Sequence, residues 1–253
     1  MADRVSEAEN KYFGSAFKIA NKLGIRKVSQ DNFHKNERFY LNSVFKGIDI
    51  AFVIGYHYRI NAAIPEYKNI KLINFHQSLL PKYAGRHPLN WVIVNGETNT
   101  GISFHFINMD FDAGDIILQK KIRITNGDTV ISLYNKTVER ASRYLGKVFD
   151  LVYDNSFVPH KQDLRVREYF RPRTPADGEI LRGDSIQQVK NKIRALVYPY
   201  KGAFLRINGN KIVLGGVNKI KDSKKYKRID FAGVYNKDII LKVSDGVLKV
   251  RTN

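Results

Sequence analysis

Short apolar runs alternate with longer apolar stripes over the first 150 residues of the chain. Residues 11–24 (KYFGSAFKIANKLG) put Phe13, Phe17 and Ala20 on one helical face, and Gly24 suits the end of that helix. Residues 49–55 (DIAFVIG) and 70–75 (IKLINF) are compact apolar runs of the kind buried in a parallel sheet. Pro65 and its neighbours fit a turn or short helix between them. Residues 88–95 (PLNWVIVN) predict a helix with Pro at its first position. In 101–107 (GISFHFI), Ile102, Phe104 and Phe106 alternate with Ser103 and His105, which is the period of a strand. Residues 116–123 continue the sheet. Thr129 can cap a long helix over 129–152, with a stripe of Val130, Leu133, Val138, Ala141, Leu145, Val148 and Val152.

Strands alternating with helices predict an α/β sheet core over residues 1–153. The texture changes at 154–178, where polar and Pro-bearing stretches read as a linker. A helix over about 184–198 follows. Short strands are predicted at 203–207, 211–214, 229–234, 238–243 and 246–251. Their close spacing predicts a small C-terminal β-barrel over 179–253. The order holds one oddity: an open α/β domain usually begins with a strand, and here a helix comes first.

Composition narrows the chemistry. The 253 residues include no cysteine, which removes disulfides, thiolate catalysis and Cys-based zinc sites. No apolar run is long enough for a membrane span, and no signal peptide is evident, so the cytoplasm is the default location. The net charge of +19 points to an anionic partner, or to a Lys-, Asn-, Ile- and Tyr-rich compositional bias. Charge alone does not choose between them.

The densest group of chemistry-bearing residues is 74–91, NFHQSLLPKYAGRHPLNW. Asn74, His76 and Ser78 alternate at the end of a strand, so their side chains fall on one side. Functional groups of α/β sheets collect beyond the carboxyl ends of strands. A second group, DFDAGDII at 110–117, sets three carboxylates around Gly114. Asp112 faces the Asn–His pair if strands 70–75 and 101–107 are neighbours. His105 fits a plain strand position and stays outside this candidate site. The Asp and His residues lack the compact spacing of a zinc site, so no metal is expected.

The pattern N-x-H-x-S-L-L-P-x-Y-x-G-x-x-P, followed by D-x-G-D, resembles the folate-dependent formyltransferase family. The resemblance implies a Rossmann-like, mostly parallel sheet and 10-formyltetrahydrofolate as co-substrate. It also implies Asn74, His76 and Asp112 as the catalytic group. VIGYHYRI (53–60) resembles the strand end and loop that line the folate pocket, which makes Tyr56, His57 and Tyr58 cofactor candidates beside Asp110 and Asp115. RTPADGEI and NKIRALVYPYKGAF resemble the start of the C-terminal domain shared by the methionyl-tRNA and sugar enzymes.

PKYAGRHPLNWVIVNGET is similar to enzymes acting on nucleotide-linked 4-amino sugars, such as the UDP-4-amino-4-deoxy-L-arabinose formyltransferase, which reads Arg where Ala84 stands here. Ser78, Lys82, Tyr83, Arg86, His87 and Asn90 are the substrate candidates. The implied partner is a nucleotide-linked amino sugar, in lipopolysaccharide or glycan biosynthesis, with a homodimer as the expected assembly. Methionyl-tRNA formylation is the alternative, resting on charge. An inactive binding protein of the same fold is the second. Family members begin with a strand, a helix and a strand ahead of the first helix seen here. The expectation is therefore a sheet lacking that unit.

In the implied reaction an unprotonated amine attacks, and negative charge gathers on the formyl oxygen. Asn74 would donate to that oxygen, His76 would donate as imidazolium or as the right tautomer, and Asp112 would accept the amine proton.

Overall fold

The computed structural model describes residues 16–25, 30–43, 46–56, 60, 70–154, 156–221 and 224–252. Helix α1 spans Ala16–Lys22, and Gly24 follows it at φ 65°. Its left-handed backbone lets the Ile25 amide reach back to the Ala20 carbonyl at 2.9 Å. Residues 11–15 of the predicted helix, and the turn at Pro65, lie outside the described residues. Two short helices follow, α2 (Gln30–Lys35) and α3 (Glu37–Ser43). The sequence reading contains neither. Their polar stretch shows no apolar stripe of helical period, and only Leu41 of α3 is buried.

The α/β sheet orders its strands β1 (Ile50–Val53), β2 (Lys71–His76), β4 (Asn99–Phe106) and β5 (Ile116–Arg123) as β1-β2-β4-β5. β1 and β2 run parallel, as two compact apolar runs separated by a crossover should. β2 and β4 run antiparallel, with Asn74 opposite His105 and His76 opposite Ser103. The middle of β4 is buried on both faces, which places its polar residues Ser103 and His105 inside the protein. Buried polar groups need partners. Ser103 donates to the Ser78 carbonyl at 2.7 Å and accepts from Gln119 and from the Leu80 amide. Helix α4 covers Pro88–Val94 and helix α5 Val130–Tyr153. Thr129 caps α5 by accepting from the Ser132 amide at 3.2 Å.

The C-terminal region opens with helix α6 (Ile186–Ala195), whose Ser185–Gln188 capping box matches its start. Strands β7 (Phe204–Ile207), β8 (Asn210–Lys219), β9 (Ala232–Tyr235), β10 (Asp238–Val243) and β11 (Gly246–Thr252) form an antiparallel sheet, ordered β7-β8-β11-β10-β9. It curls as a half-barrel around Leu205, Leu214, Ile240, Leu241 and Leu248, all buried. Two residue-pair strands, β3 (Ala84–Gly85) and β6 (Tyr169–Phe170), make a third small sheet.

By compactness the chain divides into two units. One takes in the chain up to Gly85 with Gly101–Lys121 and Thr137–Tyr169. The other takes in Arg86–Thr100, Ile122–Lys136 and Phe170–Asn253.

Candidate active site

Three segments of the first unit converge on one carboxylate. β2 contributes Asn74 and His76, the loop after it contributes Tyr83 and Gly85, and the β4–β5 loop contributes Asp112. Asp112 Oδ2 accepts from the Gly85 amide at 2.8 Å, and Asp112 Oδ1 accepts from Asn74 Nδ2 at 3.3 Å. His76 Nδ1 lies 3.7 Å from the same Oδ1. The sequence-predicted group of Asn74, His76 and Asp112 is therefore gathered at one point.

The backbone around the carboxylate is held tightly. Asp112 has φ 52°, a left-handed conformation that Asp tolerates better than most residues. Gln162 Nε2 donates to the Asp112 and Gly114 carbonyls at 2.9 and 2.6 Å. Gly114 packs so closely that a Cβ there would sit 1.8 Å from the Phe106 carbonyl oxygen. A glycine is required at that position by contact, not by its φ.

The imidazole of His76 is only 6 % exposed. Its Nε2 lies 2.8 Å from the Tyr83 carbonyl, which can only accept, so Nε2 carries a proton. Tyr83 presents that carbonyl from φ 56°. The free valence of His76 is thus Nδ1, on the side of Asp112. Burial pushes the His76 pKa below the ordinary imidazole value, and the Asp112 charge and the Tyr83 carbonyl partly offset it. Burial works on Asp112 in the raising sense. The His76 charge, His105 and the Gly85 amide outweigh it and hold the carboxyl well below the usual range. Asp112 is a carboxylate at neutral pH.

A fourth side chain completes the group. His105 is 2 % exposed, and its Nε2 lies 3.1 Å from Asn74 Nδ2 and 3.6 Å from Asp112 Oδ1. The sequence reading set it aside as a strand residue. The signal that finds it is the β2–β4 register, which places it directly opposite Asn74. Gln162 was missed as well, since it lies in a segment read only as linker.

The remaining candidates are distributed unevenly. Ser78 is fully buried and its hydroxyl donates to the Lys82 carbonyl at 2.7 Å, so it fastens the loop. Lys82 is exposed, with an ion pair to Glu168 at 3.6 Å. The Tyr83 side chain is buried, and its carbonyl serves His76. Asp110 is exposed in the β4–β5 loop, and the Asp115 carbonyl accepts from the Phe106 amide. Tyr56 follows β1 and meets Phe33 edge-on at 6.0 Å between ring centroids. His57 and Tyr58 lie outside the described residues.

Arg86, His87 and Asn90 belong to the second unit. There the Arg86 amide donates to the Phe170 carbonyl, and His87 Nδ1 accepts from the Arg173 amide at 3.2 Å. Asn90 is 1 % exposed and donates to the Ala195 carbonyl at 2.7 Å, joining α4 to the end of α6. Among the described residues no group of three His, Asp or Glu side chains is arranged to hold a metal ion.

A carboxylate, an imidazole with one open nitrogen and a fixed amide at one point suit proton transfer beside a polarised carbonyl. Comparison with known proteins gives this chemistry a family. Residues 5–149 match the formyl transferase family, and residues 173–253 match its C-terminal domain.

Solved structures share the fold. The N-formyltransferase of Helicobacter canadensis, solved with folinic acid and dTDP-3-aminofucose, is 20% identical. It matches over 94% of this chain and 82% of its own, with a TM-score of 0.68. A 4-N formyltransferase from Francisella tularensis is 21% identical over 81% of each chain, with a TM-score of 0.64. HypX from Aquifex aeolicus, solved with tetrahydrofolic acid, is 16% identical over 88% of this chain, with a TM-score of 0.63. This chain spans 38% of the HypX chain. With both halves matched in order, and with the amide, imidazole and carboxylate of its motif gathered at one point, the chain belongs to the formyl transferase family.

Proposed function

We propose that this protein is a folate-dependent N-formyltransferase that moves a formyl group from 10-formyltetrahydrofolate to the amine of a nucleotide-linked amino sugar. The observation that carries the proposal is the convergence of Asn74, His76 and Asp112 on one point. Two structural neighbours support the sugar class: one was solved with a dTDP-linked amino sugar, and another is described as a sugar 3N-formyl transferase. The donor set fits a formyl group, offering one buried nitrogen and one carboxylate where a proton must change hands.

When bound, the folate supplies a formyl carbon activated by attachment to nitrogen. Tyr56, with His57 and Tyr58, would hold it, with Asp110 and Asp115 as further candidates. Asp112 Oδ1 and His76 Nδ1 would hold the proton that the attacking nitrogen loses, and would return it to the folate nitrogen as its bond to the formyl carbon breaks. Protonated there, His76 becomes a donor for an oxygen gaining negative charge, and Asp112 stabilises the imidazolium. Lys82, exposed beside the site loop, offers a charge for a substrate phosphate. Arg86 and His87 remain phosphate candidates on charge alone. A soluble cytoplasmic enzyme of glycan or lipopolysaccharide biosynthesis, acting as a homodimer, completes the reading. Among the described residues no helix is long and apolar enough to cross a membrane.

The test supplies 10-formyltetrahydrofolate with UDP- and dTDP-linked amino sugars, and separately with charged initiator tRNA. Formylated sugar is the expected product. Formylation of the tRNA and of no sugar overturns the substrate class. Transfer to nothing, with folate still bound, favours an inactive binding protein of the same fold.

A further inference from the structure

We propose that the second unit carries a docking surface for an anionic lipid bilayer, formed by the basic loop after β8 and the turn between β9 and β10. This surface is independent of the formyl-transfer reading and of the site at Asp112.

The loop concentrates charge. Residues 219–228 (KIKDSKKYKR) hold six Lys and Arg against one Asp. Lys219, Lys221, Lys227 and Arg228 are exposed. The acids that follow are engaged elsewhere, Asp230 with Arg182 and Asp238 with Lys249 at 2.7 Å. Cations gathered this closely repel one another, and an anionic surface relieves that repulsion.

The loop is anchored. Tyr226 is buried within it, in an apolar cluster with Ile240 of β10 and Val247 of β11, and Ile220 and Ile229 pack against that cluster from either end of the loop. The Ile220 amide donates to the Val247 carbonyl at 2.9 Å, and Lys242 Nζ donates to the Lys227 carbonyl at 3.0 Å. Apolar side chains thus fasten the backbone to the sheet, while Lys221, Lys227 and Arg228 between them stay exposed.

An apolar edge adjoins the cations. The Tyr226 ring meets the Tyr235 ring edge-on at 5.1 Å between centroids. Val234 and Tyr235 end β9, and Asn236 and Lys237, at φ 48° and 69°, turn the chain into β10. Val234 is 66 % exposed, and Asn236 and Lys237 are exposed after it. Cations bordering an exposed Val and a Tyr match the interfacial layer of a membrane, where headgroup phosphates meet the first acyl carbons. A polynucleotide fits less well. Its phosphates could use the cations, but Val234 would find no partner on it, and the loop's own ring, Tyr226, is buried where no base can stack.

Sedimentation of the full chain with lipid vesicles tests the surface. Vesicles of phosphatidylcholine with about 25 % phosphatidylglycerol should bind at least about tenfold more tightly than pure phosphatidylcholine. Each cation near such a surface contributes about fivefold in affinity, so the triple variant Lys221→Gln, Lys227→Gln, Arg228→Gln should bind roughly a hundredfold more weakly. Val234→Ser should weaken vesicle binding about threefold and leave binding to heparin, a polyanion with no apolar layer, unchanged. Both variants should melt with the wild type, because the substituted side chains are exposed. Equal binding of the wild type to the two kinds of vesicle, or binding to neither, overturns the proposal whatever the variants do. So does a folded triple variant, or a Val234→Ser variant, that binds vesicles as the wild type does. Val234→Ser protein that loses vesicle and heparin binding alike, or wild-type protein that takes up single-stranded RNA and ignores the vesicles, assigns the surface to a polyanion in solution and overturns it too.

Discussion

Burial draws the His76 imidazole toward its neutral form, while the Asp112 charge draws it the other way, and burial prevails. The consequence for stability has a definite sign. Above pH of about 6.5 the imidazole is neutral in both folded and unfolded chains. Below that, the unfolded chain binds a proton that folded His76 refuses, so stability falls as the pH falls. The loss attributable to His76 is at most on the order of 1 kcal/mol at pH 5.5. Urea unfolding at pH 8 and at pH 5.5 should show a smaller drop for His76→Gln than for the wild type. An equal drop would mean that His76 takes up its proton freely.

Asp112 tests the chemistry at the same scale. Asp112→Asn removes the charge that raises the His76 pKa and the oxygen that accepts the amine proton. Turnover should fall by at least about 10²-fold, with folate affinity within a few-fold. Unchanged turnover would remove Asp112 from the reaction.

Elements decide whether those side chains meet, and here the β4–β5 loop matters most. Gly114 touches the Phe106 carbonyl where a methyl group would overlap it, and Gln162 ties the Asp112 and Gly114 carbonyls together. Gly114→Ala should displace the loop, costing turnover and lowering the melting temperature together. Gln162→Ala should leave the fold intact and lower kcat about tenfold, because only the placement of Asp112 is loosened. A Gln162→Ala enzyme with wild-type kcat would show that the glycine contact alone holds the loop.

The same elements mark what sequence reading reaches. The α/β alternation, the long helix and the C-terminal strands announce themselves by period, and Asn74, His76 and Asp112 by motif. His105 does not, because its role depends on a strand register that no local pattern states. Gln162 acts from about 50 positions away in the chain, out of a polar stretch that looks like any linker. Ser78 and Asn90 show what burial adds to such a reading. Their polarity invites a substrate role, yet both are buried and bonded to backbone carbonyls.

The charge belongs to the whole molecule, and its distribution is uneven. Residues 171–253 contain 19 Lys and Arg against 7 Asp and Glu, while residues 1–170 contain 24 against 17. Most of the +19 therefore lies in the C-terminal part. A basic region of this kind suits a polynucleotide as readily as a nucleotide sugar, and ionic strength separates them. Each phosphate neutralised releases counterions, so a ligand making 6–10 phosphate contacts loses roughly 10³–10⁵ in affinity between 50 and 200 mM salt. A nucleotide sugar has only two phosphates to offer. Its KM should therefore rise by less than about tenfold over that range. A steeper rise in the sugar KM would mean that general electrostatic attraction, and not a fitted site, brings it to the enzyme. Tight tRNA binding with the steep slope, alongside a sugar that shows none, would assign the basic C-terminal part to a polynucleotide and leave the sugar to the site at Asp112.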